Sequence, residues 1–523
     1  MSAAPAGMEG QVVRALGSIG AATLASRVLG FVRDMAVALA FGAGTATDAF
    51  FVAFRIPNVL RRLLAEGALS TAGIPVISEY VVNQPREELR RMVRAVVAAA
   101  LLVLGVVTVL GVVAAPWIVR VIAPGFGDDP GQAALATLLT RVMFPYLLLV
   151  GLAALAMGLL NAEGRFFAAA LGPAVLNVGM IIGVLAAAWF VPPILGLAVG
   201  VLVGGLGQLL IQFPDLKSTG LLLGPSRELR HPALGRIARL LLPAVFGLAA
   251  VQVMVFVNTL LASLLPAGSI SFLYYADRVM EFPLGVFGVA LASASLPAMS
   301  RQAAAGDTRA VAATLNFALR LSAFVAVPAT VGLVVLREPI TRVLFERGRF
   351  GPVETAATAW ALAWYAIGLT GFSGARIAAQ AFYAIREPAV AVRMGIIAVA
   401  VNVVAAVAFM GPLGHGGLAL ASSIGAWVNV LALGVAARRR FGPLGGRALV
   451  RAFAGTLVAA VPLAAWCVAL RWWWPVGASV AREATWLLAA IVIGAGLYWL
   501  GASIIGLDER RALARVLPWS RRR

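Results

Sequence analysis

The chain has 523 residues, 61% of them hydrophobic and only 12% charged, with a formal net charge of +20. A water-soluble domain carries about a quarter charged residues and cannot hide this much apolar surface, so a soluble fold is excluded and the solvent must be lipid. The single Cys467 excludes an intramolecular disulfide and a cysteine metal cluster, and two histidines, His231 and His415, exclude a multi-histidine site.

The apolar runs are long and uniform rather than short and alternating, which argues against a β-barrel and for an all-α polytopic membrane protein. A span needs roughly 20 apolar residues, and the runs give about fourteen transmembrane helices. Their centres fall near residues 30, 57, 106, 148, 179, 204, 252, 287, 323, 369, 400, 427, 459 and 494. The helix ending near Trp189 meets the next at Val191-Pro192-Pro193, a tight turn. No cleaved signal peptide is expected, because no basic region leads into a short apolar core and an A-x-A site.

Charge sets the orientation. One set of connections holds Arg86, Arg90, Arg91 and Arg94; Arg165; Lys217, Arg227, Arg230 and Arg236; Arg301 and Arg309; Arg386 and Arg393; and Arg438 to Arg440 with Arg447. The tail ends Arg521-Arg522-Arg523. The alternate connections are short and poor in cations. The basic set is therefore read as cytoplasmic, with both termini on that side, and the positive charge as topology rather than a nucleic-acid surface. One connection disobeys: residues 337–349 fall outside yet carry Arg337, Arg342, Arg347 and Arg349. Beyond it, Trp472-Trp473-Trp474 reads as an anchor at the outer interface.

A weak repeat runs through the chain. Residues 68–78 resemble residues 290–300; Ala290 stands 222 positions after Ala68, and Pro297 222 after Pro75. The repeat implies two parallel halves about an axis along the membrane normal, with substrate between them.

The first two spans contain charges that a bilayer penalises by about 2.5–3.5 kcal/mol each on insertion scales. Arg27, Arg33 and Asp34 interrupt the first; Asp48, Arg55, Arg61, Arg62 and Glu66 surround Phe54-Arg55-Ile56-Pro57-Asn58 in the second. In the eighth, Asp277, Arg278 and Glu281 lie within one turn, and Arg278 can meet Glu281 at i,i+3. Two readings fit: snorkelling ends and structural ion pairs, or a cationic cavity for an anionic headgroup, which suits arginine because its planar fork binds oxygen pairs and stays charged. Asp128-Asp129, a conceivable metal pair for a membrane transferase, reads instead as a turn in a Gly/Pro-rich loop.

Three stretches, 26–34, 47–62 and 65–68, resemble the opening of the lipid II flippase family (MurJ/MviN), and 274–283, Tyr-Tyr-Ala-Asp-Arg-Val-Met-Glu-Phe-Pro, resembles its eighth-helix motif. The resemblance implies the multidrug/oligosaccharidyl-lipid/polysaccharide exporter fold and a flippase, not an enzyme. That fold is two pseudo-symmetric six-helix lobes, expected here at 1–220 and 221–440, plus two C-terminal helices and a basic cytoplasmic tail at 441–523. Such a protein moves lipid II, the undecaprenyl-diphosphate-linked peptidoglycan precursor, across the bacterial inner membrane by alternating access. It implies substrate-binding roles for Arg27, Arg33, Arg61 and Arg278, with Ser26, Asp34, Asp48, Arg55, Asn58, Asp277 and Glu281 supporting the cavity. It also implies a groove for the polyprenyl tail at about residues 447–500. The alternatives are an exporter of another polyprenyl-diphosphate oligosaccharide, which the cationic chemistry alone does not separate, and a multidrug exporter of the same fold, for which acidic rather than basic cavity residues are expected.

The implied partners are lipid II, membrane lipids and other cell-wall synthesis proteins, with no nucleic acid. No cofactor or metal is expected, and membrane potential is the expected driving force. Some family members resemble sodium-coupled transporters with acidic ligands in the seventh and eleventh helices. Here those helices offer Gln252, Asn258 and Asn402, amides that read as helix–helix glue, so a sodium site is not expected.

Overall fold

The computed structural model describes residues 25–63, 73–226 and 229–514. The 65–68 motif with Glu66, the first part of the repeat, Arg227 and the Arg521-Arg522-Arg523 tail lie outside them. Contacts divide the chain into two compact units, Met1–Ile270 and Ser271–Arg523.

The first unit holds α1 (residues 25–41), α2 (Thr45–Arg61), α3 (Ile74–Asn83), α4 (Arg86–Ile122), α5 (Pro130–Met143), α6 (Tyr146–Ala162), α7 (Phe167–Ala170), α8 (Gly172–Leu185), α9 (Ile194–Leu210), α10 (Phe213–Ser218) and α11 (Pro232–Ser263). The boundary falls at the start of α12 (Ser269–Pro283). The second unit continues with α13 (Val289–Ala304), α14 (Thr308–Val335), α15 (Arg337–Phe345), α16 (Pro352–Ile367), α17 (Leu369–Ala384), α18 (Pro388–Leu413) and α19 (His415–Phe441). It ends with α20 (Gly446–Ala459), α21 (Val461–Trp472), α22 (Val480–Ile505) and α23 (Asp508–Ala514).

The all-α class stands. Among the described residues, 8 helical stretches are long and apolar enough to cross a membrane: α4, α5–α6, α9–α10, α14, α18, α19, α20–α21 and α22. The other six expected centres also fall on helical segments. Two of them share an irregularity. A π turn begins at Arg62 after α2 and at Leu284 after α12, the offset of 222 seen in the repeat.

Lipid contact explains the surface. The middle of α4 exposes Leu102, Val103, Val106, Val109, Leu110 and Val113, while its first turns carry Arg86, Glu87, Glu88, Arg90 and Arg91. At 37 residues and 1.5 Å per residue, α4 is roughly 55 Å long and outreaches a bilayer core of about 30 Å.

Inside the first unit, packing depends on missing side chains. A Cβ on Gly179 of α8 would lie 2.4 Å from the Gly204 Cα of α9, and one on Gly183 would lie 2.4 Å from the Gly196 oxygen. Glycines four apart on both helices let the backbones touch, the small-xxx-small solution of helix packing in lipid.

The charged end of this unit is tied by ion pairs. Arg86 meets Glu163 at 2.5 Å, and Arg165 meets Asp215 at 3.0 Å. His231 caps α11 by accepting from the Ala233 N–H at Nδ1, which leaves Nε2–H to donate to Glu88 at 3.1 Å. Arg236 donates to both oxygens of Glu79, holding that carboxyl below the usual carboxylate range.

In the second unit, α20, α21 and α22 join α14 and α15 around Phe324, Val327, Leu336, Leu463 and Tyr498. The Tyr498 hydroxyl donates to the Phe324 carbonyl at 2.7 Å. Arg320, within α14, is ion-paired to Glu509 of α23, a carboxylate only 2% exposed.

The disobedient 337–349 connection is explained in part by this unit. Arg337–Phe345 form α15, a helix of 9 residues, too short to span and lying against α16 and α22. Its charges are held locally: Arg342 meets Glu346 at 3.4 Å, and Arg347 donates to the Val343 carbonyl at 2.6 Å. The tryptophan triplet divides. Trp472 and Trp473 are exposed as an interfacial anchor requires, but Trp474 turns inward and donates to Glu483 at 3.3 Å.

Candidate functional site

The first unit buries its charge at α1. Arg33 and Asp34 are 7% and 2% exposed, burial that requires partners. Arg33 donates from Nε at 3.0 Å and Nη2 at 2.6 Å to Asp34 Oδ1, and from Nη1 at 2.9 Å to Asn177 Oδ1 on α8. Asn177 returns with Nδ2 to the Ser26 carbonyl at 3.1 Å. One amide thus fixes the arginine and the start of α1 together. Gly30 eases the approach, since a Cβ there would lie 3.3 Å from Asn177 Nδ2, a tight contact. Sequence reasoning missed Asn177; the available signal was a lone amide in an otherwise apolar run.

Arg27 is exposed and makes no ion pair among the described residues. In α2, Arg61 donates to Asn58 Oδ1 from Nε at 3.3 Å and Nη2 at 3.2 Å. Both are half-buried, as is Arg55. Asp48 is 2% exposed and accepts from the Gly268 N–H at 2.6 Å. It thereby ties the start of α2 to the turn before α12, within the first unit.

In the second unit, Arg278 donates to Glu281 Oε2 at 2.8 Å and to the Tyr274 hydroxyl at 3.3 Å. Its guanidinium carbon lies 5.0 Å from the Tyr274 ring centroid, a cation–π distance. The i,i+3 pair expected from the sequence is therefore formed, and Asp277 is half-buried beside it.

Asp129 acts as the turn reading requires, capping α5 by accepting from the Gly131 and Gln132 N–H groups at 2.9 and 3.2 Å. Asn402 is fully buried and its Nδ2 donates to Ser422 Oγ at 3.5 Å, the helix-bridging role expected of it.

Arg33 and Arg278, each held by a carboxylate and a neutral side chain in an all-helical, lipid-facing protein, mark the class of polytopic membrane proteins that keep functional charges inside their helices, as transporters do. Comparison with known proteins narrows the class. The family model for the lipid II flippase MurJ matches residues 37–483. The lipid II flippase MurJ of Burkholderia cenocepacia is 37% identical over 500 residues, 93% of this chain and 96% of that protein. A solved lipid II flippase MurJ in an inward closed conformation matches with a TM-score of 0.78 and 26% identity, over 95% of this chain and 99% of that one. A multidrug resistance MATE family transporter of the MOP superfamily, inward-facing, matches with a TM-score of 0.66 over 80% of this chain and 96% of that one; at 15% identity the likeness is one of fold alone. This chain belongs to the lipid II flippase MurJ family.

Proposed function

We propose that this chain carries lipid II from the inner to the outer leaflet of the bacterial cytoplasmic membrane by alternating access, without chemistry on the lipid. The observation that supports it is the caging of Arg33 by Asp34 and Asn177 and of Arg278 by Glu281 and Tyr274, within a family whose members are named for that substrate.

The proposed headgroup site consists of Arg27, Arg33, Arg61 and Arg278. Ser26, Asp34, Asp48, Arg55, Asn58, Asp277 and Glu281 support it. Exposed Arg27 makes first contact. Diphosphate oxygens then take the donors that Asp34 and Glu281 occupy in the empty protein, a like-for-like exchange of charge-assisted hydrogen bonds. The carboxylates thus keep the unloaded arginines in place and lower their mutual repulsion. Binding that favours one lobe arrangement over another shifts the population between them. Membrane potential acts on the moving charge, about 2.3 kcal/mol per unit charge per 100 mV. No sodium site enters the proposal. Both termini are cytoplasmic, in keeping with the basic connections, and the polyprenyl tail runs along α20 to α22.

The test is growth. A bacterial host depleted of its own lipid II flippase is expected to grow on this chain and to lyse on Arg27→Ala or Arg278→Ala at equal membrane abundance. Normal growth on those variants as sole copy overturns the assignment of the arginines.

A further inference from the structure

The second unit contains a cavity of about 380 Å³ lined by Val334, Val335, Arg337, Val468, Arg471 and Trp472. It lies where α14 and α21 both end, so it sits at a membrane–water boundary. The proposed headgroup site does not use it, and the positive-inside pattern does not account for its arginines.

The lining has a direction. Val468 and Trp472 are 45% and 83% exposed on a spanning helix, so their neighbours are bilayer lipids. The three valines form the apolar side and the two guanidinium groups the polar side. Arg337 donates to the Val334 carbonyl at 3.1 Å and makes no ion pair among the described residues. Arg471 donates to Glu338 Oε2 at 3.2 Å. With that carboxylate counted, one positive charge is left over. The order of apolar wall, guanidinium pair and interfacial tryptophan matches the order of acyl chain, phosphate and headgroup boundary in a phospholipid.

We infer that this cavity is a binding site for an anionic glycerophospholipid, whose phosphodiester sits between Arg337 and Arg471 while its acyl chain follows Val334, Val335 and Val468. A zwitterionic lipid brings its own cation toward the guanidinium pair and fits less well. The bound lipid bridges α15 to α21 and so stiffens this end of the unit. Assignment to the outer leaflet rests on the orientation proposed above; the binding itself does not.

The test uses the full chain purified in neutral detergent. Dioleoylphosphatidylglycerol and dioleoylphosphatidylcholine are titrated in separate arms, and retained lipid is counted by native mass spectrometry. Both lipids offer the phosphodiester, so repulsion between the choline cation and the guanidinium pair sets the expected preference, about tenfold or more for phosphatidylglycerol. Arg337→Gln/Arg471→Gln is expected to erase that preference, Arg439→Gln at the opposite end of the spans to keep it, and Arg337→Lys/Arg471→Lys to keep part of it. The lysine pair decides the matter if the glutamine pair does not fold. Equal retention of the two lipids by the unaltered protein overturns the inference, as does a preference that survives in the double glutamine variant. Displacement by millimolar inorganic phosphate also overturns it, in favour of a soluble-anion site. Neither lipid II transport nor orientation is read by this assay, so its failure and theirs are separable.

Discussion

Asn177 Oδ1 accepts from Arg33 Nη1 at 2.9 Å while the same amide donates to the Ser26 carbonyl at 3.1 Å. A neutral side chain on α8 therefore sets where a buried cation on α1 stands. The arrangement separates holding an arginine from neutralising it: Asp34 supplies the charge and Asn177 the direction.

Asn177→Ala should remove both bonds and leave Arg33 short of an acceptor. A buried hydrogen bond to a charged group contributes about 1.5–3 kcal/mol, so the purified variant is expected to melt several degrees lower. Asn177→Asp keeps an acceptor but loses the donor to Ser26, and should fall between. A melting curve for Asn177→Ala that overlies the unaltered protein's would remove Asn177 from this role.

At Arg278, charge and shape can be separated. Arg278→Lys keeps the cation and loses the fork that reaches Glu281 and Tyr274 together. Transport is expected to drop about tenfold or more for Lys, on the loss of one charge-assisted bond, and to vanish for Ala. Tyr274→Phe removes the 3.3 Å hydrogen bond to Arg278 and retains the ring, so it should keep most activity. Initial rates at equal protein in reconstituted vesicles check all three.

The α8–α9 contact leaves no room for a side chain at Gly179 or Gly200. Gly200→Leu is expected to cost about 3 kcal/mol, the upper part of the range for overpacking, and to deplete the folded protein from the membrane fraction. Gly235→Leu is the control, because nothing lies within 4 Å of a Cβ there. Quantitative membrane immunoblots distinguish the two.

Arg320 and Glu509 form a pair in which only the arginine is partly exposed. Arg320→Ala leaves a carboxylate buried alone, a change of about 3–5 kcal/mol in comparable pairs. Arg320→Met with Glu509→Leu should recover most of it. Limited proteolysis near α23, with melting curves for the singles and the double, measures the coupling; additive single effects would show that the pair contributes none.

The sequence makes legible whatever follows from local pattern. Every expected span centre lands on a helical segment because an apolar run of sufficient length has few alternatives in lipid. The Arg278–Glu281 pair was readable because both lie on one helix, three residues apart. Partners distant in sequence were not. Asn177 is 144 positions from Arg33 and Glu509 is 189 from Arg320, and neither separation leaves a trace in composition or periodicity. The inward turn of Trp474, in a triplet that otherwise reads as an interfacial anchor, depends on Glu483 waiting one turn into the next helix. The basic 337–349 connection was conspicuous but mute, because its meaning depends on α21 bringing Arg471 beside it.

The most direct test of the central claim is to follow lipid II reaching the outer face of cells whose own flippase has been depleted and replaced by this chain. The account expects exposure at the rate of the undepleted host with the unaltered protein, and none with Arg27→Ala or Arg278→Ala present in the membrane at the same level. Full exposure with either variant would contradict it.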